Sequence, residues 1–172
     1  MRRNADNLRP RRLRGNENVG YDIIGDIHGY ADKLEGLLSK LGYQNVAGSW
    51  RHPDRQAIFV GDFVDLGPAQ LRSFDTMRRM VDAGAALAVM GNHELNAIAW
   101  HTPDPDHPGE YLRPHFSARW GEKNRKQHAA FLAEVENKPE LHAEVIDCSS
   151  PSLSGWICRN YGWCMLVGAH HS

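Results

Sequence analysis

Cysteine is missing from the first 147 residues, and the three that exist sit at 148, 158 and 164. A thiol-free body offers no disulfide framework and no thiolate metal cluster, and it suits the cytoplasm. Excess charge is missing too: 20 basic against 21 acidic residues leave a net −1, so nucleic acid is not an expected partner. No apolar run approaches the roughly 18 residues needed to span a bilayer, which argues against a membrane partner. Six arginines crowd the first 14 residues, but no apolar stretch follows them, so this is not a secretory signal. No Gly-rich phosphate loop of the usual pattern appears, which counts against a metal-free nucleotide-binding module.

What remains is ordinary in bulk. At 172 residues, 41% hydrophobic and 24% charged, the chain suits one globular domain with a sizeable core. Residues 1–20, rich in Arg, Asn and Gly, read as a flexible basic arm. Apolar runs at Tyr21 to Gly25, Ala57 to Val60 and Ala85 to Met90 read as buried strands. Between them, Leu34, Leu37, Leu38 and Leu41 mark one helix face, closed by Gly42. Pro68 precedes a second helix with Leu71, Phe74, Met77 and Val81 on its apolar face. Trp50 to Asp54 reads as a turn-rich connection and Thr102 to Gly109 as a surface loop. Asn124 to Glu136 and Glu140 to Asp147 look helical, parted at Pro139. Strands alternating with helices predict an α/β fold with a mostly parallel sheet.

Each strand ends in a polar cluster: Gly25-Asp26-Ile27-His28-Gly29, Gly61-Asp62-Phe63-Val64-Asp65, and Gly91-Asn92-His93-Glu94. Ligands of open α/β sheets gather at the carboxyl ends of strands. Singly, an Asp or Asn there is a common turn or cap residue. Three clusters together offer carboxylate, imidazole and amide oxygen, a donor set for Mn²⁺, Fe or Zn²⁺. His52, His101, His107, His115, His128 and His142 lack such a context and read as surface or structural.

The order of these clusters, about 30 residues apart, resembles the calcineurin-like metallophosphoesterases over about Tyr21 to Asp147. Bacterial members similar to serine/threonine protein phosphatases are the nearest match. The resemblance implies a layered fold, a mostly parallel sheet flanked by helices, incomplete in this chain. It implies two divalent metal ions, with Mn²⁺ foremost. Asp26 and His28 would bind the first, Asp62 would bridge both, and Asn92 would bind the second. His93 would be the general acid, held in orientation by Asp65. The implied activity is hydrolysis of a phosphomonoester, on a phosphoprotein or a small phosphoester, or of a dinucleoside polyphosphate. A metal-binding but inactive fragment is the competing expectation.

Two departures matter. Leu66 stands where the family carries the arginine that grips phosphate, leaving Arg72 or Arg113 as substitutes. Two later family histidines have no convincing counterpart, His170 and His171 being displaced candidates. Composition also breaks after Asp147: residues 148–172 hold every cysteine, two of five tryptophans, one arginine, and no lysine or acid. Back-translated in the adjacent frame, this tail permits Phe-Leu-Thr-Leu-Pro-Leu-Trp-Leu-Asp-Leu-Pro-Glu-Leu-Arg-Val-Val-His-Ala. Several letters are forced: the Trp156–Ile157 junction gives Asp, Asn160–Tyr161 gives Leu, and Trp163–Cys164 gives Val. That string resembles the strand the family carries at this point, so a one-base deletion near codon 148 is the expectation. A shifted tail should pack poorly and leave little turnover.

Overall fold

The computed structural model describes residues 20–138, 140, 142–143 and 145–146. Most of the basic arm and the tail from Asp147 onward, with the candidate ligands His170 and His171, lie outside the described residues. The elements in chain order are β1 (Gly20–Ile24), α1 (Ala31–Lys40), β2 (Gln44–Val46), β3 (Ser49–Arg51), β4 (Arg55–Phe59), α2 (Gln70–Asp82), β5 (Ala86–Ala88), α3 (Asn92–His101) and α4 (Gly121–Val135). Strands β1, β4 and β5 form a parallel sheet in that spatial order, with Ile24 beside Phe59 and Phe59 beside Ala88. This is the expected α/β architecture: a parallel sheet flanked by helices. No helix among the described residues is long and apolar enough to cross a membrane.

The core follows from the helical stripes. On α2, Phe74, Met77, Met80 and Val81 are buried, and on α1, Ala31, Leu34 and Leu38 are. Phe59, Phe63 and Phe131 join them, each fully buried. Burying a side chain of that size contributes about 2–3 kcal/mol. The α1 stripe is narrower than the sequence suggests, because Leu37 is 41% exposed.

Two elements differ from the expectation. Where a turn-rich connection was expected from Trp50, β2 and β3 form an antiparallel hairpin. Its two-residue turn, Ala47-Gly48, has φ of 52° and 84°, the geometry that matches strand twist. Alanine is not a signal for such a turn, so Asn45 supplies one by accepting the Gly48 N–H through Oδ1 (3.0 Å). The second difference is α3, a helix not expected after the third strand, which begins at Asn92 inside the third polar cluster. Its buried residues are His93, Glu94, Ala97 and Trp100, a face half polar and therefore invisible to hydrophobic periodicity.

One ion pair, its carboxylate buried and its guanidinium half-exposed, pins β1 to β4. Asp22 accepts hydrogen bonds from Arg55 Nε (2.7 Å) and from the Tyr43 hydroxyl (3.1 Å), and it also pairs with Arg55 Nη2. The Arg55 guanidinium holds the Asp22 carboxyl below the usual range, outweighing the upward push of burial. A depressed carboxyl stabilises the fold above its unfolded value of about 3.9, and this is lost as pH falls through the folded value. The urea midpoint is therefore expected to hold from pH 7 to about 5 and to drop below about 4. Asp22→Asn should flatten that acid limb, and identical limbs in both proteins would show that the pair contributes nothing.

Candidate metal centre

All three polar clusters leave the same edge of the parallel sheet, and backbone bonds stitch them together there. The Ile27 and His28 N–H groups both donate to the Asp62 carbonyl (3.0 and 2.8 Å), and Gly29 donates to Phe63 (2.7 Å). Gly67 returns a bond to the His28 carbonyl (2.7 Å). Gly61 and Gly91 lie so close that a Cβ on Gly61 would overlap the Gly91 backbone. Side chains at either position would force the second and third clusters apart.

The backbone here is strained. His28, Asp62, Asp65 and Leu66 have φ of 49°, 54°, 70° and 74°, and among described non-glycine residues only Ala47 shares that region. Such conformations cost about 1–2 kcal/mol per residue and persist where surrounding contacts enforce them.

That backbone converges the donors. One atom each from His28, Asp62 and His93 falls within 4.8 Å of the others. His28 Nδ1 bonds the Val64 carbonyl (3.1 Å), which leaves Nε2 as its open nitrogen. Asp26, exposed, brings Oδ2 to 3.8 Å from that Nε2. Asp62 Oδ1 accepts the His93 N–H (2.9 Å) at the first turn of α3. Asn92, the first residue of α3, is exposed beside them. The fold thus gathers Asp26, His28 and Asp62 and sets Asn92 at the adjoining helix start. His93, expected as an acid and not a ligand, stands within the same trio. Mixed imidazole and carboxylate donors at this spacing fit a divalent ion of the Mn²⁺, Fe or Zn²⁺ kind.

Behind the donors lies a buried polar layer. Asp65 is fully buried, and His93 Nδ1 sits 2.8 Å from its Oδ2. His128, fully buried on α4, sets Nδ1 at 2.6 Å from Asp65 Oδ1. Glu94, also fully buried, accepts N–H bonds from Asp62 (2.8 Å), Phe63 (2.7 Å), Val64 (3.2 Å) and Gly91 (2.9 Å). Burial pushes the Glu94 carboxyl up, against the downward pull of those four donors. Arg113 is buried and bonded to Gln127 Oε1 (2.8 Å), and its Nη1 meets no acceptor among the described residues. Burial lowers its pKa while the Asp65 charge raises it. Arg72 instead pairs on the surface with Glu35 and Asp32.

Sequence reasoning gave Glu94 no role and set His128 aside. A Glu three residues after a helix-capping position is a legible signal, and Glu94 at Gly91+3 carries it. His128 had none, because its partner lies 63 residues away. Its fellow histidines keep local tasks: His115 stacks between Trp100 and Tyr111, at ring separations of 3.7 and 4.0 Å.

The calcineurin-like phosphoesterase family model matches residues 21–170. The chain belongs to that family. Calcineurin-like phosphoesterases are hydrolases that act with a pair of metal ions, in keeping with the donors gathered here. Among curated relatives, a bis(5'-nucleosyl)-tetraphosphatase PrpE of Halalkalibacterium halodurans is 47% identical over 74 residues, 42% of this chain and 30% of that protein. One from Oceanobacillus iheyensis is 44% identical over 73 residues, 42% of this chain and 29% of that protein. The matched stretch is thus under a third of the length of these relatives. A solved protein serine/threonine phosphatase from Saccharomyces cerevisiae aligns with 80% of this chain and 35% of its own, at 19% identity and a TM-score of 0.47.

Proposed function

We propose that the edge built by the three clusters is a phosphoester-cleaving site of the calcineurin-like type. Its substrate is phosphorylated: a phosphoprotein, a small phosphomonoester or a phosphoanhydride. The observation carrying this reading is the convergence of His28, Asp62 and His93 donor atoms within 4.8 Å. In this reading Asp26 and His28 would hold one divalent ion and Asn92 a second, with the Asp62 carboxylate available to both. Mn²⁺ is the proposed ion, with Fe and Zn²⁺ suited to the same donors. When bound, such a pair polarises a phosphoryl oxygen and lowers the pKa of a water molecule. In its doubly protonated form His93 gives the Nε2 proton to the leaving oxygen and is left as the Nδ1–H tautomer, while Asp65 on Nδ1 (2.8 Å) keeps the ring turned toward that oxygen. Leu66, 60% exposed, has no donor for a phosphate. Arg113, whose charge reaches Asp65, is the better candidate of the two arginines. The thiol-free body suits the cytoplasm as the place of action.

The names of the PrpE relatives favour a dinucleoside polyphosphate as the substrate. A second reading, metal binding without turnover, is favoured by the small donor set: one group of three among the described residues. Dialysed protein given MnCl₂ separates them. The expected result is Mn²⁺-dependent hydrolysis of diadenosine tetraphosphate or p-nitrophenyl phosphate, abolished by EDTA. Bound Mn²⁺ with neither substrate cleaved supports the second reading. No metal binding at all sinks both.

A further inference from the structure

The Asp65 carboxylate is held from both sides, and only one side belongs to the reaction proposed above. His93 Nδ1 takes Oδ2 at 2.8 Å, and His128 Nδ1 takes Oδ1 at 2.6 Å. A carboxylate offers only acceptors, so each imidazole presents Nδ1 as N–H and both tautomers are fixed. His128 is not free to turn away. It is fully buried, with ring centres 4.9 Å from Phe131 and 5.9 Å from Trp100. Its Nε2 is buried without a partner among the described residues, so its single bond is the one to Asp65.

The mechanics follow from the aspartate side chain. The terminal torsion of Asp is broad and soft, so a carboxylate tied at one oxygen can rotate with the ring it is meant to hold. A second imidazole on the other oxygen removes that freedom. We propose that His128 is a positioning residue, fixing the Asp65 carboxylate so that His93 keeps Nδ1–H toward Asp65 and Nε2 toward the metal edge. The assignment of His93 as proton donor rests on the phosphoester reading. The clamp itself rests on distances alone.

Asparagine and glutamine at position 128 test the clamp directly. The Asn side-chain amide nitrogen falls near the place of imidazole Nδ1, whereas that of Gln falls near Nε2. In the full chain with ¹⁵N-labelled histidine, long-range ¹H–¹⁵N spectra should show His93 as the Nδ1–H tautomer with a slowly exchanging proton. His128→Asn should preserve that signal. His128→Gln should speed its exchange at least tenfold or mix the tautomers. A role confined to filling the core predicts equal His93 signals in the two variants, and that result overturns the proposal. So does an unaltered His93 signal in His128→Gln. Turnover adds a separate arm. In His128→Gln, kcat should fall about tenfold for an alkyl phosphate, whose leaving oxygen needs a proton, and under twofold for p-nitrophenyl phosphate, with KM unchanged. Failure of the wild-type chain to cleave either ester would count against the phosphoester reading, while the spectra still decide the clamp.

Discussion

Glu94→Ala is expected to destabilise the fold by about 3–5 kcal/mol, the largest single loss available at this site. One fully buried carboxylate here satisfies the N–H groups of Asp62, Phe63, Val64 and Gly91. Each buried donor left without an acceptor costs about 1–3 kcal/mol, and a water admitted to the gap recovers only part. Total stability of a domain is about 5–15 kcal/mol, so the variant should sit near the edge of folding at 37 °C. Glu94→Gln should fall between the two, because its amide NH₂ would face N–H groups where an oxygen now accepts. Urea denaturation of the three proteins reads the effect. A loss under 1 kcal/mol for Glu94→Ala would mean the clusters are held by the β-strand ends alone.

Asp62→Asn should weaken Mn²⁺ binding roughly 100-fold or more, while His93→Ala weakens it no more than about tenfold. An amide is a poor bridge between two cations, having lost the charge that draws them together. Folding should survive the exchange, because Asn keeps an oxygen for the His93 N–H that Asp62 Oδ1 accepts at 2.9 Å. On the proposed roles, removing His93 deletes a proton donor rather than a ligand, so turnover should fall well before metal is lost. Calorimetric titration with MnCl₂ and turnover of p-nitrophenyl phosphate separate the two roles. Equal loss of metal in both variants would assign His93 to the ligand set, as its place beside His28 and Asp62 allows.

Much of this arrangement is legible in the sequence. The three strands were written in short apolar runs, and a parallel sheet leaves their carboxyl ends on one edge. Asp26, His28, Asp62 and Asn92 had to meet near that edge if the crossovers were regular. The layer behind them was not legible. His128 meets Asp65 because α4 packs against α2, a tertiary event that leaves no mark at a spacing of 63 residues. Helix α3 hid for a related reason: with His93 and Glu94 buried, its inward face does not look apolar. The Ala47-Gly48 turn lacks the Asn-Gly signature, since the helping Asn sits at 45, two residues before Ala47, and not at 47.

The four left-handed residues at the site set its evolutionary terms. Glycine adopts φ near +50° to +75° without steric cost, so at 28, 62, 65 or 66 it would relieve strain that the present side chains carry. Only Leu66, largely exposed and without a polar group, can yield to glycine and leave the donors intact. At the other three, the same exchange deletes an imidazole or a carboxylate. A mutant library sorted by thermostability alone would therefore accept glycine first at Leu66, and one sorted by metal affinity would keep the strain at His28 and Asp62. Backbone conformation ties durability and chemistry to the same few positions, and improvement in one is drawn from the other.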